Sequence, residues 1–139
     1  MKYLIGDIGN TSTKIRILNN KFKILKSYNF ESIKMLKGNP IKIIVKKKNY
    51  KDLNSVFLFS SVVPKVFSNI KKSLKFSKYK ILELKSLNLK KIIKINIKNK
   101  KLLGSDRIAN AISAKKFKNC LVLDFGTATT FDVIKNGVY

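Results

Sequence analysis

Two short segments of this chain, one near each end, carry the same order of residue types. Residues 4–13 read LIGDIGNTST, and residues 121–130 read LVLDFGTATT. In each, an apolar run is followed by aspartate, an apolar residue, glycine, Asn or Thr, any residue, a hydroxyl residue and threonine. Internal similarity of this kind usually reflects a duplicated structural unit. The sequence therefore predicts two copies of one unit, in which a strand, a tight turn and a second strand follow one another.

The turn in each unit has the residues that a phosphate site requires. Glycine permits a tight turn and lets the backbone approach a ligand closely. The residues after it offer N–H and hydroxyl donors to an anion, and the aspartate can hold the accompanying metal ion or its water shell. A single copy would be no more than a hairpin with a polar tip. Two matched copies favour a clamp that binds the polyphosphate of a nucleotide between them.

Composition excludes several other classes of protein. The 139 residues include no histidine and only one cysteine, Cys120, which excludes histidine catalysis, an internal disulfide and a cysteine metal cluster. No apolar run approaches the roughly 18 residues that cross a bilayer, and Gly6 and Asp7 interrupt the apolar start too early for a secretory signal. The motifs of P-loop and Rossmann phosphate sites are absent as well. We expect a soluble cytoplasmic protein without a membrane partner.

The net charge of +24, from 31 Lys and Arg against 7 Asp and Glu, would suit a nucleic-acid-binding domain. However, Arg16 and Arg107 are the only arginines, and the lysines are spread over the whole chain without interleaved aromatic residues for base stacking. Lysine, isoleucine, asparagine and phenylalanine have A/T-rich codons, so an A/T-rich genome would give this composition by drift. We therefore expect a solvated lysine-rich surface and no nucleic-acid partner.

Hydrophobic periodicity predicts an antiparallel opening followed by alternating strands and helices. Strands are predicted at residues 3–8, 13–18, 22–28, 56–60, 79–84, 120–124 and 130–134. Helices are predicted at residues 32–37, 64–74 and 106–116, with a break at 38–40, whereas 41–52 and 85–101 show no clear pattern. This order of elements is typical of an α/β domain with a mixed sheet.

The sequence GSDR at residues 104–107 opens the last predicted helix. Asp106 is a good helix N-cap, and this could be its only role. Alternatively, the helix N-terminus favours its ionised carboxylate, which would then accept a proton from a substrate hydroxyl. Arg107 is either a solvated helix residue or a planar donor for the carboxylate of a substrate, and the scarcity of arginine favours the second interpretation.

Four motifs together resemble those of the type III pantothenate kinase family, in the same order and at similar spacing: DIGNT at 7–11, SSVVP at 60–64, GSDR at 104–107 and DFGTATT at 124–130. The resemblance covers the whole chain and implies the actin-like ATPase fold, which is ribonuclease H-like. It also implies a homodimeric enzyme that uses ATP, Mg²⁺ and K⁺ or NH₄⁺. Such an enzyme phosphorylates pantothenate to 4'-phosphopantothenate, the first step of coenzyme A biosynthesis.

The same resemblance implies a role for each matching residue. Asp106 would be the catalytic proton acceptor, Asp124 would bind the monovalent cation, and Asp7 would lie near the divalent cation. Pantothenate would contact Gly104, Ser105, Asp106 and Arg107. The residues that would bind ATP are Asp7, Ile8, Gly9, Asn10, Thr11, Ser12, Thr13, Lys14 and Thr127.

The resemblance further implies two domains, with residues 1–117 forming the first and residues 118–139 starting the second. The remainder of the second domain would lie beyond Tyr139, so we expect either a fragment or a truncated gene product. The family usually has Asn-Pro and an acidic residue before the GSDR motif, whereas Asn99 is followed here by two lysines. A non-catalytic nucleotide-binding relative and an inactive remnant are the alternatives, and the retained Asp106 and Arg107 favour catalysis.

Overall fold

The computed structural model describes residues 1–38, 40–46 and 51–139. The chain divides into two compact units, Met1–Glu83 and Leu84–Tyr139. This division does not test the domain limit expected between residues 117 and 118, which stays a prediction. No helix in the described ranges is both long enough and apolar enough to cross a membrane.

The first unit is a five-stranded mixed sheet with short helices. Strands follow the spatial order β3-β2-β1-β4-β5, in which β2 is antiparallel to both β1 and β3, and β4 is parallel to both β1 and β5. The strands are β1 (Lys2–Ile8), β2 (Ser12–Leu18), β3 (Ile24–Glu31), β4 (Leu53–Ser61) and β5 (Lys80–Glu83). The helices are α1 (Lys34–Lys37), α2 (Pro40–Lys46) and α3 (Pro64–Ser73). The predicted α/β class with a mixed sheet is confirmed.

Alternation along the strands buries one face of this sheet. Ile15 and Ile17 are completely buried as predicted, whereas Lys14 is exposed between Thr13 and Ile15. Phe57 and Phe59 of β4 join the same core. Helix α3 covers it with Val66 and Ile70, four residues apart on one face of the helix.

The third strand begins later than predicted and also ends later. It was expected at residues 22–28, but it spans Ile24–Glu31. The side chain of Asn19 accepts hydrogen bonds from the backbone N–H groups of Lys21 and Lys23, and Phe22 has a φ of 57°. This turn therefore occupies the first two residues of the predicted strand, because left-handed backbone cannot continue a β ladder.

The unpatterned region after residue 40 contains a helix that periodicity did not identify. Helix α2 begins at Pro40, a residue whose fixed φ suits the first helical turn, and it buries Ile41 and Ile44 one turn apart. Residue 39, in the predicted break at 38–40, lies outside the described residues. Residues 47–50, in the unpatterned stretch, are not described either.

The second unit consists of a helix packed on a two-stranded antiparallel hairpin. Helix α4 spans Ser105–Ala114 and buries Ile108 and Ala111, while the hairpin contains β6 (Cys120–Phe125) and β7 (Thr129–Ile134). All three elements confirm the predicted ones within two residues. The ambiguous region 85–101 forms short 3₁₀ turns and one isolated bridge from Lys94 to Val138.

Gly6 is required where β1 passes the core, one residue before Asp7. A Cβ at this position would overlap the buried ring of Phe59 and lie 3.0 Å from Cδ1 of Ile15. We expect Gly6→Ala to lower the free energy of unfolding by about 1–3 kcal/mol, because a packed aromatic ring cannot withdraw without strain. Urea denaturation measures this change.

Gly38→Ala is the matched control for the same added methyl group. A Cβ at Gly38 meets no described atom within 4 Å, and its backbone is extended with a φ of −155°. Its effect should stay within about 0.5 kcal/mol. Equal effects of the two substitutions would show that the space beside Phe59 is not limiting.

Candidate functional site

The first of the two repeated segments forms a strand, a four-residue turn and a strand, as predicted. Ile8 pairs with Thr13 and Asp7 pairs with Lys14, and the turn is closed by a 3.0 Å hydrogen bond from Gly9 N to the carbonyl oxygen of Ser12. Directly paired residues project to the same face of a sheet. Asp7 and Lys14 therefore lie side by side on the face opposite the aliphatic core.

Ser32 braces this turn from the segment that follows β3. Its hydroxyl donates to the carbonyl oxygen of Gly9 at 2.6 Å, and its oxygen lies 2.9 Å from Oγ1 of Thr13. A serine hydroxyl has one proton, so Thr13 is the donor in the second bond. Both side chains are buried, and Ser32 N also donates to the carbonyl oxygen of Thr11 at 2.9 Å. The sequence contained no local signal for Ser32, because it approaches the turn only through the pairing of β2 with β3.

Ser60, in the SSVVP motif, lies next to Asp7 on the neighbouring parallel strand. The two residues are register partners of β1 and β4. The Ser60 hydroxyl oxygen is buried and has no hydrogen-bond partner within the part of the chain that the structure describes. Native buried hydroxyls nearly always have a partner. A buried hydroxyl without a partner, next to a carboxylate, can form a hydrogen bond with a phosphate oxygen or with a water molecule bound to a metal ion.

The second repeated segment has the predicted strand–turn–strand form but a different register. Asp124 pairs with Thr130, and the turn is closed between Gly126 N and the carbonyl oxygen of Ala128 at 3.3 Å. It is therefore one residue shorter than the first turn, and Asp124 faces a threonine where Asp7 faces a lysine. Oγ1 of Thr130 is buried and, in the described ranges, has no hydrogen-bond partner.

The proposed clamp needs both turns, and they belong to different compact units of the chain. The first lies in Met1–Glu83 and the second in Leu84–Tyr139. Each turn leaves its tip exposed, at Asn10 and Thr11 in one and at Thr127 in the other. The joint binding of one triphosphate by both turns stays a prediction.

The GSDR motif forms the N-terminus of α4, but Asp106 is not its N-cap. Gly104 occupies the cap position with extended backbone, and the helical conformation already begins at Ser105. Asp106 is therefore the second helical residue, and its Oδ1 accepts the backbone N–H of Arg107 at 2.8 Å. The carboxylate still satisfies one N–H group of the first turn, which is what helix ends require. Asp106 is partly exposed, so it remains accessible to a ligand.

Arg107 is not a purely solvated helix residue. Its Nε donates to Oδ1 of Asp132 at 2.6 Å, and its Nη2 donates to the carbonyl oxygen of Phe131 at 2.8 Å. The Asp132 carboxylate holds the pKa of Arg107 above its ordinary value through this bond. Asp132 is completely buried, whereas the side chain of Arg107 is 36% exposed. No sequence motif points to Asp132, which lies 25 residues from its partner along the chain.

Two further side chains complete the network around Asp132. The hydroxyl of Tyr139 donates to Oδ1 of Asp132. Burial, with a smaller contribution from this bond, raises the pKa of Tyr139 to about 12. Nδ2 of Asn110 lies 3.4 Å from Oδ2 of Asp132 and 3.3 Å from Oδ2 of Asp124. Asn110 therefore links the predicted cation-binding carboxylate to the buried carboxylate that holds Arg107.

A cavity of about 570 Å³ opens beside Arg107 within the second unit. Its lining includes the cations Arg107, Lys94 and Lys135 together with Tyr139 and Phe131, and among the described residues it contains no Asp or Glu. This volume is in the usual range for small-molecule sites. The cavity can therefore attract a small anionic ligand and bind its charged group at Arg107.

Removal of the Ser32 hydroxyl should loosen the first turn. We expect Ser32→Ala to lower the free energy of unfolding by about 1–3 kcal/mol, because the Gly9 carbonyl and the Thr13 hydroxyl would lose their buried partner. Ser27→Ala, on the exposed part of β3, is the matched control and should change it by less than about 0.5 kcal/mol. Urea denaturation of both variants measures the difference. Equal stabilities of the two variants would contradict the bracing role.

Sequence comparison identifies one family over nearly the whole chain. The sequence model of type III pantothenate kinase matches residues 3–139. A type III pantothenate kinase from Pelagibacter ubique is 43% identical, with 98% of this chain and 55% of the relative covered. Another from Kosmotoga olearia is 31% identical, with 98% and 54% covered. The chain thus spans about half the length of the curated relatives it matches.

Comparison with solved structures agrees with the expected fold. A structure described as that of a sugar kinase from Cytophaga hutchinsonii has a TM-score of 0.54 at 14% identity, covering 99% of this chain and 49% of its own. The Lmo2764 protein from Listeria monocytogenes has a TM-score of 0.52 at 16% identity, covering 99% and 48%. At such identities the likeness shows the fold alone, which is the actin-like ATPase fold. With the match over residues 3–139, the four motifs and this fold, the chain belongs to the type III pantothenate kinase family.

Proposed function

We propose that this chain supplies phosphate-binding and substrate-binding residues of an enzyme that phosphorylates pantothenate with ATP. The product would be 4'-phosphopantothenate, and the reaction would begin coenzyme A biosynthesis. The observation that carries this proposal is the N-terminus of α4. There Asp106, in the first turn of the helix, is followed directly by Arg107, which lines a cationic cavity.

Asp106 is proposed as the general base. The helix N-terminus favours an ionised carboxylate, and its partial exposure leaves it accessible to the substrate hydroxyl. As the hydroxyl oxygen forms its bond to the γ-phosphorus, its proton passes to Asp106 and the bond to ADP breaks. Gly104, Ser105 and Arg107 would position pantothenate, with its carboxylate at the Arg107 guanidinium. Phosphoryl transfer depends mainly on such positioning and on charge stabilisation.

The first turn and its flanking strands are proposed to bind the ATP phosphates. This segment runs from Asp7 to Lys14, and its tip exposes Asn10 and Thr11. The ammonium group of Lys14 would lie near phosphate oxygens, because its strand partner Asp7 is on the same face of the sheet. Thr127, at the exposed tip of the second turn, is likewise proposed to bind an ATP phosphate.

The donor set near Asp7 fits Mg²⁺. In the described part of the chain no cluster of three or more His, Cys, Asp or Glu side chains could hold a metal ion. Mg²⁺ in kinases is typically held by one or two carboxylates, water and the substrate phosphates, so the carboxylate of Asp7 with the hydroxyl of Ser60 nearby is sufficient. When bound, the ion would neutralise charge on the phosphates.

The oxygen donors around Asp124 similarly fit a monovalent cation such as K⁺ or NH₄⁺. The buried hydroxyl of Thr130, which has no partner in the described ranges, faces the carboxylate of Asp124 across the hairpin. We further propose that the complete enzyme is a cytoplasmic homodimer, and family membership supports this.

Asp106→Asn tests the proposed base. In the complete gene product, we expect ADP formation with pantothenate to fall by about 10²–10⁴-fold, because the amide cannot accept the hydroxyl proton. Affinity for MgATP, measured by calorimetry, should change by less than about twofold, because Asp106 is not assigned to the phosphates.

Asp52→Asn is the matched control for this amide substitution. Asp52 accepts a hydrogen bond from Nζ of Lys2 at 2.9 Å and is half exposed, in the other compact unit. It should keep the wild-type rate. A wild-type rate in Asp106→Asn would contradict the assigned base. Nucleotide binding without any turnover of the unmodified protein would instead favour a non-catalytic relative.

Asp124→Ala tests the monovalent cation site. We expect the variant to lose stimulation of the initial rate by KCl, because the carboxylate that attracts the cation is removed. The initial rate is measured as the KCl concentration is raised from zero. A salt of a large organic cation keeps the ionic strength constant. A potassium response equal to that of the wild type would exclude this role of Asp124.

A further inference from the structure

We propose that Asp132 is a positioning residue, which holds the Arg107 guanidinium so that its other edge binds the carboxylate of the ligand in the adjacent cavity. This inference rests on the proposed function for the identity of the ligand, pantothenate. Asp132 lies outside the DFGTATT motif at 124–130. Its role follows from three contacts in the second unit, with Arg107, Tyr139 and Asn110.

The surroundings of Asp132 hold its carboxylate in one place. The residue is completely buried. One oxygen accepts hydrogen bonds from Nε of Arg107 and from the hydroxyl of Tyr139, and the other lies 3.4 Å from Nδ2 of Asn110. A buried carboxylate is tolerated only when it is paired and hydrogen-bonded. The contacts from α4 and Tyr139 therefore make Asp132 a rigid anchor rather than a mobile counter-ion.

Arg107 is bound to this anchor along one edge. Nε bonds to Asp132 and Nη2 bonds to the carbonyl oxygen of Phe131, which are consecutive residues of β7. Within the described part of the chain, Nη1 forms no hydrogen bond with a carboxylate or carbonyl group, and the Tyr139 hydroxyl lies on the anchored side of the guanidinium through its bond to Asp132. Because Arg107 is 36% exposed and lines the cavity, its other edge is accessible to a ligand. A fixed guanidinium edge matches the two oxygens of a carboxylate.

Charge and orientation are supplied by different residues in this arrangement. The charges of Arg107 and Asp132 compensate each other, so the pair adds little net attraction for an anion. Lys94 and Lys135, which line the same cavity, attract the anion without fixing its geometry. Loss of the Asp132 charge should therefore weaken carboxylate binding, although it makes the cavity more positive. A purely electrostatic role would have the opposite effect, tighter binding.

The composition of the chain allows the guanidinium to be observed directly. Arg16 and Arg107 are the only arginines in this sequence, so protein labelled with ¹⁵N-arginine should show one Nε–H signal from each of them. The hydrogen bond to Asp132 should shift the Arg107 signal and slow its exchange with water. In Asp132→Asn this signal should move toward that of a solvated arginine, while the Arg16 signal stays. An unchanged Arg107 signal would overturn the proposal.

Ligand discrimination provides the second measurement. Pantothenate and pantothenol, the analogue with a hydroxymethyl group in place of the carboxylate, are titrated into each protein. The wild type should prefer pantothenate, and Asp132→Asn should reduce this preference by about tenfold or more. A ratio of two affinities is insensitive to a partly unfolded fraction. A preserved or increased preference would overturn the positioning role.

Two further variants serve as control and substitute. Asp52→Asn makes the same change of charge at an exposed residue and should leave the preference and both arginine signals as in the wild type. If Asp132→Asn does not fold, Asp132→Glu keeps the charge but moves the carboxylate by one methylene group, and it should also reduce the preference. Wild-type preference in Asp132→Glu would then refute the inference. Wild-type protein that binds neither compound would refute the proposed function. The arginine signals would still test the contact between Asp132 and Arg107.

Discussion

A buried carboxylate must be compensated where it lies, and this requirement organises the second compact unit. Asp132 on β7 is satisfied by Arg107 and Asn110 of α4 and by Tyr139, so that the helix, the hairpin and Tyr139 meet at one charged group. Burial of Ile108 and Ala111 stabilises the packing of the helix on the hairpin, but apolar contacts do not fix the orientation of the helix. The ion pair supplies the direction, since its hydrogen bonds require one orientation of the helix.

In the first unit the corresponding constraint is the packing of β1 between β2 and β4. Antiparallel pairing with β2 places Lys14 beside Asp7, and parallel pairing with β4 places Ser60 on its other side. Because Gly6 has no side chain, the ring of Phe59 packs directly against this part of β1. A lysine, a carboxylate and a buried hydroxyl thus come to share one sheet face, although Ser60 is far from the other two residues in sequence.

The repeated segments show how similar sequences can differ in geometry. Both form a strand, a turn and a strand, as their residue pattern predicted. The second turn is nevertheless one residue shorter, so that Asp124 faces Thr130 where Asp7 faces Lys14. Ser32, directly after β3, braces the first turn, whereas the second turn belongs to a two-stranded hairpin. The two aspartates therefore have different neighbours.

The sequence by itself determined the order of most strands and helices, the two glycine turns and the GSDR helix start, because periodicity and turn residues act locally. It did not reveal α2, whose short apolar pattern is masked by lysines, or the late start of β3, which depends on the hydrogen bonds of Asn19. Only the tertiary structure decided that Asp132 holds Arg107, that Ser32 braces the first turn and that Ser60 lies beside Asp7. These contacts depend on strand register and on helix packing, which join residues distant in the chain and leave no local pattern.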